Sequence, residues 1–243
     1  MSEDLAGGIK FAKIACGLLA VCLLAGAVGC AAGNKRAGQP ATDSAAGLFG
    51  MPAEKFFELG KAGRPIDPQK LDYTLMAAAL FHETNQRRRQ AGKPALRHDP
   101  RLDEAARTHG RNMAEKKFVS HTNPHSPESR TPLDRVARAG FTPSYIAENV
   151  ATYFNLRCEE GRMLYSVHEG TAFSYEPDST PIPEHSYRSF AESLVTRWMN
   201  SPEHRKNILA DPPNAYGSGC AARPERKGLY RLYCVQLFGA RRP

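Results

Sequence analysis

The hydrophobic pattern changes three times along the chain. Lys10 and Lys13 precede an unbroken apolar run over residues 14–28. That run is shorter than the roughly 20 residues a membrane-spanning helix needs, and it fits the apolar region of a secretory leader. Residues 31–50 lose all period and are dominated by Ala, Gly, Ser, Asn and Pro, the composition of a flexible tether. Helical spacing then takes over, and it gives way near the end to short strand-like segments.

Helix starts are marked four times by a capping residue directly before proline: Asp67-Pro68, Asp99-Pro100, Thr131-Pro132 and Ser201-Pro202. A side-chain oxygen at the cap satisfies a free amide, and proline suits the first helical position. These starts predict a helix over 68–90, with Leu71, Leu75, Met76, Ala79 and His82 on one face. A second runs over 100–117 with Leu102, Ala105, Ala106, His109 and Met113 at helical spacing. A third covers 132–139 with Leu133 and Val136 inward, and a turn from Pro202 carries Ile208 and Leu209. A helix over 189–199 buries Phe190, Leu194 and Trp198, and residues 51–59 form one short helix stopped by Gly60. Residues 219–222 and 229–238 read as strands around a turn holding Pro224 and Gly228. Helices first and strands last predict an α+β layered domain. Residues 155–187 sustain no period and read as a long insertion loop. The expected organisation is therefore a leader at 1–29, a tether with a short helix at 30–66, and one domain at 67–243.

Composition narrows this further. Apolar residues make up 41% of the 243, which excludes a chain disordered throughout. The formal net charge of +8 suits solubility, or adhesion to anionic wall polymers and lipid headgroups. Of six cysteines, Cys16 and Cys22 lie in the leader. Ala27-Val28-Gly29-Cys30 resembles a bacterial lipobox, in which cleavage exposes a cysteine whose thiol takes the lipid. Ordinary cleavage within 29–32 and an uncleaved anchor are the other two readings. Cys220 and Cys234 sit on the two strand-like segments, where they are either two buried thiols or a disulfide. A disulfide closing a loop of about 15 residues contributes on the order of 3 kcal/mol in the entropic account. Cys158 is left without a partner. Arg87, Arg88 and Arg89 close a helix, where cations complement its dipole. They read as a solvated face, and no nucleic-acid partner is expected of an exported chain.

Several separated segments, in order, carry a resemblance. They are LFHETNQRRRQAGKPALRHDPRLDEAARTHGRNM at 80–113, FVSHT at 118–122, IAENVA at 146–151, RWMNSPEHRKNIL at 197–209, YGSGC at 216–220 and YCVQLFG at 233–239. Together they resemble the bacterial branch of the SCP-like domains of the CAP superfamily (cysteine-rich secretory, antigen 5 and pathogenesis-related). The resemblance covers roughly residues 70–239. It implies an α-β-α sandwich, with a small antiparallel sheet between helical layers. It also implies a cleft in which His121, Glu148 and His204 match the family's two histidines and first acid. The second acid of the eukaryotic pattern falls on Ser201 here, and Glu203 stands nearby as an accessory candidate.

Two imidazoles and a carboxylate are a ligand set for a divalent metal, zinc first. The same three residues equally suit a hydrogen-bonded cleft in which Glu148 accepts from both rings. Three functions follow as expectations: a lipid-anchored envelope module that binds lipid, wall polymer or metal; a metal-assisted hydrolase acting on envelope material; or an adhesive structural protein.

Overall fold

The computed structural model describes residues 44–177 and 179–241. The leader, Cys30 and the lipobox lie outside the described residues.

The elements run in the order α1 (Ala45–Gly50), α2 (Ala53–Glu58), α3 (Tyr73–Gln90), β1 (Arg97–His98), α4 (Pro100–Lys116), α5 (Pro132–Arg138), β2 (Tyr145–Phe154), β3 (Tyr165–Val167), β4 (Ala172–Ser174), α6 (Tyr187–Met199), α7 (Pro202–Leu209), β5 (Ala215–Arg226) and β6 (Leu229–Ala240). Four strands form the central sheet in the order β1-β5-β6-β2. The sheet is mixed: β1 pairs with β5 in parallel, and the other pairings are antiparallel. The three long strands form the small antiparallel sheet that was expected, and β1 adds a short parallel edge. The two residues of β1 are too few to carry a period in sequence.

Strand alternation builds the sandwich. On β6, Tyr233, Val235 and Leu237 face one core with Leu102, Ala105, Ala106 and Met113 of α4 and Val136 of α5. Leu232, Cys234 and Phe238 face the other core, with Leu75, Met76 and Ala79 of α3 and Phe190, Leu194 and Trp198 of α6. Side chains two apart on a strand share a face, so one strand serves both layers. The α4 backbone lies directly on β5. A Cβ on Gly219 would sit 2.5 Å from the Arg107 nitrogen, so only glycine fits there. Cys220 and Cys234 are opposite one another in the β5–β6 register and form a disulfide, on the face toward α3 and α6.

Three sequence expectations shift. The helix expected from Pro68 begins at Tyr73, because Asp72 caps it through Leu75 N. The Asp67 carboxylate instead holds a local turn through Gln69 N and Lys70 N. On α5, Val136 is buried as expected, but Leu133 is exposed and Arg135 takes the inward position. Residues 44–66 form two short helices rather than a tether with one, and Leu48, Phe56, Ala62 and Ile66 are buried in the α3–α6 core.

Among its described residues, the insertion at 155–187 has structure of its own. It holds the β3–β4 hairpin and a small core of Leu156, Leu164, Phe173 and Ile182 against Leu229. Its two ends meet where His185 N donates to Asn155 O at 2.7 Å. Of the arginine triplet, Arg89 is exposed and Arg87 partly so, as a solvated face requires, but Arg88 is not. Arg88 is buried and donates to the carbonyls of Pro94, Ile208 and Ala210, which fixes the end of α7.

Candidate functional site

Glu148 lies on β2, the edge strand of the sheet, and is buried. Alternation turns it toward the α4–α5 layer, where Val150 also packs, while Asn149 turns the other way. An isolated buried carboxylate is strongly disfavoured, and here both of its oxygens are engaged. Oε2 accepts from Arg135 Nη2 at 2.6 Å, and Oε1 accepts from His121 Nδ1 at 2.9 Å. Burial alone would raise the Glu148 pKa. The Arg135 guanidinium and the His121 hydrogen bond outweigh it and hold the carboxyl below its usual range.

His121 is placed by the turn after α4. Lys117 ends that helix in the left-handed region, and Ser120 O then lies 2.8 Å from His109 Nε2. His109 is buried on α4, and burial pushes its pKa down to about 4. Its neutral ring therefore donates Nε2–H to the carbonyl beside His121. Arg135 Nη2 also donates to His121 O at 3.0 Å, so one guanidinium fixes both partners of the pair. A carboxylate only accepts, so His121 Nδ1 carries the proton and Nε2 is left available at a half-buried position.

His204 reaches the same strand edge from the opposite layer. Asn149 Nδ2 donates to His204 O at 3.1 Å. Asn207 Nδ2 bonds Glu148 O at 3.2 Å and Asn149 Oδ1 at 2.9 Å, so α7 covers polar groups that an edge strand would leave open. The His204 ring is half-buried, and its Nδ1 lies 2.8 Å from Ser201 Oγ. Burial, followed by the nearby charge of His121, lowers its pKa and favours the neutral ring. Both cleft imidazoles thus have Nδ1 anchored, one on Glu148 and one on Ser201.

The structure brings His121 and Glu148 into contact and sets His204 close enough to feel the charge of His121. It does not bring in Glu203, which makes no hydrogen bond with either and has only the weakest charge influence on His204. Among the described residues, no three His, Cys, Asp or Glu side chains gather into a metal-holding group. With its side chain 1% exposed and bonded to Arg135 and His121, Glu148 sits behind His121 rather than beside its Nε2 as a third ligand. Sequence reading missed Arg135, Asn149 and Asn207. A charged Glu148 on an apolar strand signals that a cation must be supplied, but nothing local says which one. A groove of about 370 Å³ lies elsewhere and is not lined by any of the cleft residues.

The CAP (cysteine-rich secretory protein) family profile matches residues 81–238, a span that includes His121, Glu148, His204 and the disulfide. No match was found among curated proteins. Solved structures with a related shape include an extracellular protein containing a SCP domain from Bacillus anthracis, at 20% identity and TM-score 0.48 over 73% of this chain and 45% of that one. An outer surface protein from Borrelia burgdorferi has 18% identity and TM-score 0.46 over 74% of this chain and 99% of that one. A cysteine-rich secretory protein from Staphylococcus aureus has 15% identity and TM-score 0.39 over 70% and 40%. This chain therefore spans less than half of the Bacillus and Staphylococcus proteins. The family match extends over well more than half of this chain, and the chain belongs to the CAP family, the cysteine-rich secretory protein family.

Proposed function

We propose that this chain is an exported cell-envelope protein, lipid-anchored through Cys30, whose CAP domain is a binding module. Export and anchoring are supported by the charged, apolar and small-residue sequence of the leader that ends in Cys30. The Bacillus and Borrelia proteins of related shape are described as extracellular and outer-surface proteins, which agrees with export.

One observation carries the binding reading. His121 and His204 each have Nδ1 anchored, at 2.9 and 2.8 Å, and Nε2 of each makes no hydrogen bond among the described residues, which leaves it as the ligand position. This is the arrangement by which outer partners orient metal-binding imidazoles. A divalent cation, zinc first, would take those two nitrogens, with Glu148 acting as an orienting group behind His121. A bound cation would supply Lewis-acid character to whatever ligand completes its shell.

A second reading rests on the Ser201–His204 contact. A serine hydroxyl 2.8 Å from an imidazole is the spacing of a nucleophile and its base, which would make the cleft hydrolytic. The two readings separate on one protein. Zinc titration should show one equivalent bound by the wild type and none by His204→Ala. Labelling by a fluorophosphonate, lost in Ser201→Ala, together with no zinc uptake, would replace the binding reading with the hydrolytic one.

A further inference from the structure

The groove of about 370 Å³ lies where three segments meet: residues 65–69, the two ends of the insertion at Asn155 and Glu184, and the β5–β6 turn at 227–230. Its volume falls in the range of small-ligand sites. Its walls are tied together by Asn155, which is buried. Asn155 Oδ1 accepts from Tyr230 N at 2.8 Å, and Asn155 N donates to Tyr230 O at 3.1 Å. Asn155 O accepts from His185 N, and His185 O accepts in turn from Ile66 N at 2.9 Å. Gly228, with φ of +76°, lets the turn close against the insertion, because a Cβ there would sit 2.6 Å from Thr171 O. The groove is therefore built before any ligand arrives.

Its polar groups offer both signs of hydrogen bonding. The Glu184 carboxylate and the Lys227 ammonium are exposed and make no hydrogen bond or ion pair among the described residues. Asp67 Oδ1 holds Gln69 N and Lys70 N, which leaves Oδ2 as an acceptor. Tyr230 OH accepts from Gln69 Nε2 at 2.8 Å and keeps its own proton to donate. Pro65 and Pro68 add apolar edges. A ligand that both donates and accepts at neighbouring positions, and that also presents C–H faces, satisfies this set. Two carboxylates beside one ammonium leave the groove slightly negative, which works against a phosphate- or carboxylate-rich polymer.

We propose that this groove is a binding subsite for a neutral saccharide, separate from the histidine cleft. The test is titration calorimetry on the purified full chain with tri-N-acetylchitotriose, cellotriose and maltotriose. The expected result is that at least one trisaccharide binds at millimolar affinity or better. Glu184→Gln and Tyr230→Phe should each weaken that binding about tenfold, the loss expected for one hydrogen bond to a charged or well-placed group. Glu184 is exposed and Tyr230→Phe keeps its ring, so an unchanged Trp198 emission spectrum shows that the fold is intact; Lys227→Met serves as a third variant. No binding by any of the three sugars overturns the proposal, as does binding that is equal in wild type and all variants. Stronger binding of polyglutamate than of every neutral sugar, lost in Lys227→Met, also overturns it and makes the groove an anion site.

Discussion

Replacing Arg135 with methionine removes the counter-ion of a buried carboxylate. The Arg135 and Glu148 side chains are each 1% exposed and meet at 2.6 Å. Methionine fills much of the same space, so the loss is chiefly electrostatic. Removing one partner of such a pair costs about 3–5 kcal/mol, since the remaining charge is stranded away from water. Against a total stability of roughly 5–15 kcal/mol for a typical domain, that is a large fraction. Arg135→Met with Glu148→Gln should recover most of it, because neither charge is then left alone. The chain has a single tryptophan, Trp198, and it is buried, so urea unfolding followed by its emission reads the result. The pH dependence has a definite sign. In the wild type the Glu148 pKa is depressed, so its contribution is present above the ordinary value of 4.5 and is lost as pH falls through the lower folded value. In Arg135→Met burial prevails and the pKa rises. The gap between variant and wild type should therefore be widest at neutral pH and should narrow on acidification. A loss below about 1 kcal/mol at pH 7, with no recovery in the double variant, would refute the pairing argument.

Other outcomes follow from single features. Cutting the chain at residue 67 removes Leu48, Phe56, Ala62 and Ile66 from the α3–α6 core. Loss of even one large core side chain costs about 2–5 kcal/mol, so a chain starting at residue 67 should show a broadened or missing urea transition where one starting at residue 44 unfolds cooperatively. Burial pushes the Cys158 thiol from 9.0 to about 11. The thiolate is the reactive form, so iodoacetamide at pH 8 should label Cys158 about a hundredfold more slowly in the folded chain than in urea; equal rates would contradict its burial. Gly219→Ala places a Cβ against the Arg107 backbone and should destabilise the chain by more than about 1 kcal/mol in urea unfolding.

Much of the fold is legible because its signals are local. The caps at Asp99 and Thr131 act within three residues, and Pro at the first position repeats the message. Asp67-Pro68 misleads because the same chemistry also closes an isolated turn, and only Asp72 continues into a helix. Strand β2 is invisible to periodicity because Glu148 and Asn149 interrupt its apolar run, and both are there for the cleft. The three cleft residues were reached through family resemblance and not through spacing, since they lie on a loop, a strand and a helix. What sequence could not supply is the packing between layers: that α5 turns Arg135 inward rather than Leu133, and that Asn207 crosses to the edge of β2.

The central claim is that the cleft presents two Nε2 atoms while Glu148 and Ser201 hold the Nδ1 atoms behind them. Long-range proton–nitrogen correlation of the histidine rings, before and after one equivalent of zinc, tests it directly. The Nε2 resonances of His121 and His204 should both shift on zinc addition while each Nδ1 keeps its proton. Zinc leaving either Nε2 unmoved, or displacing the proton from His121 Nδ1, would contradict it.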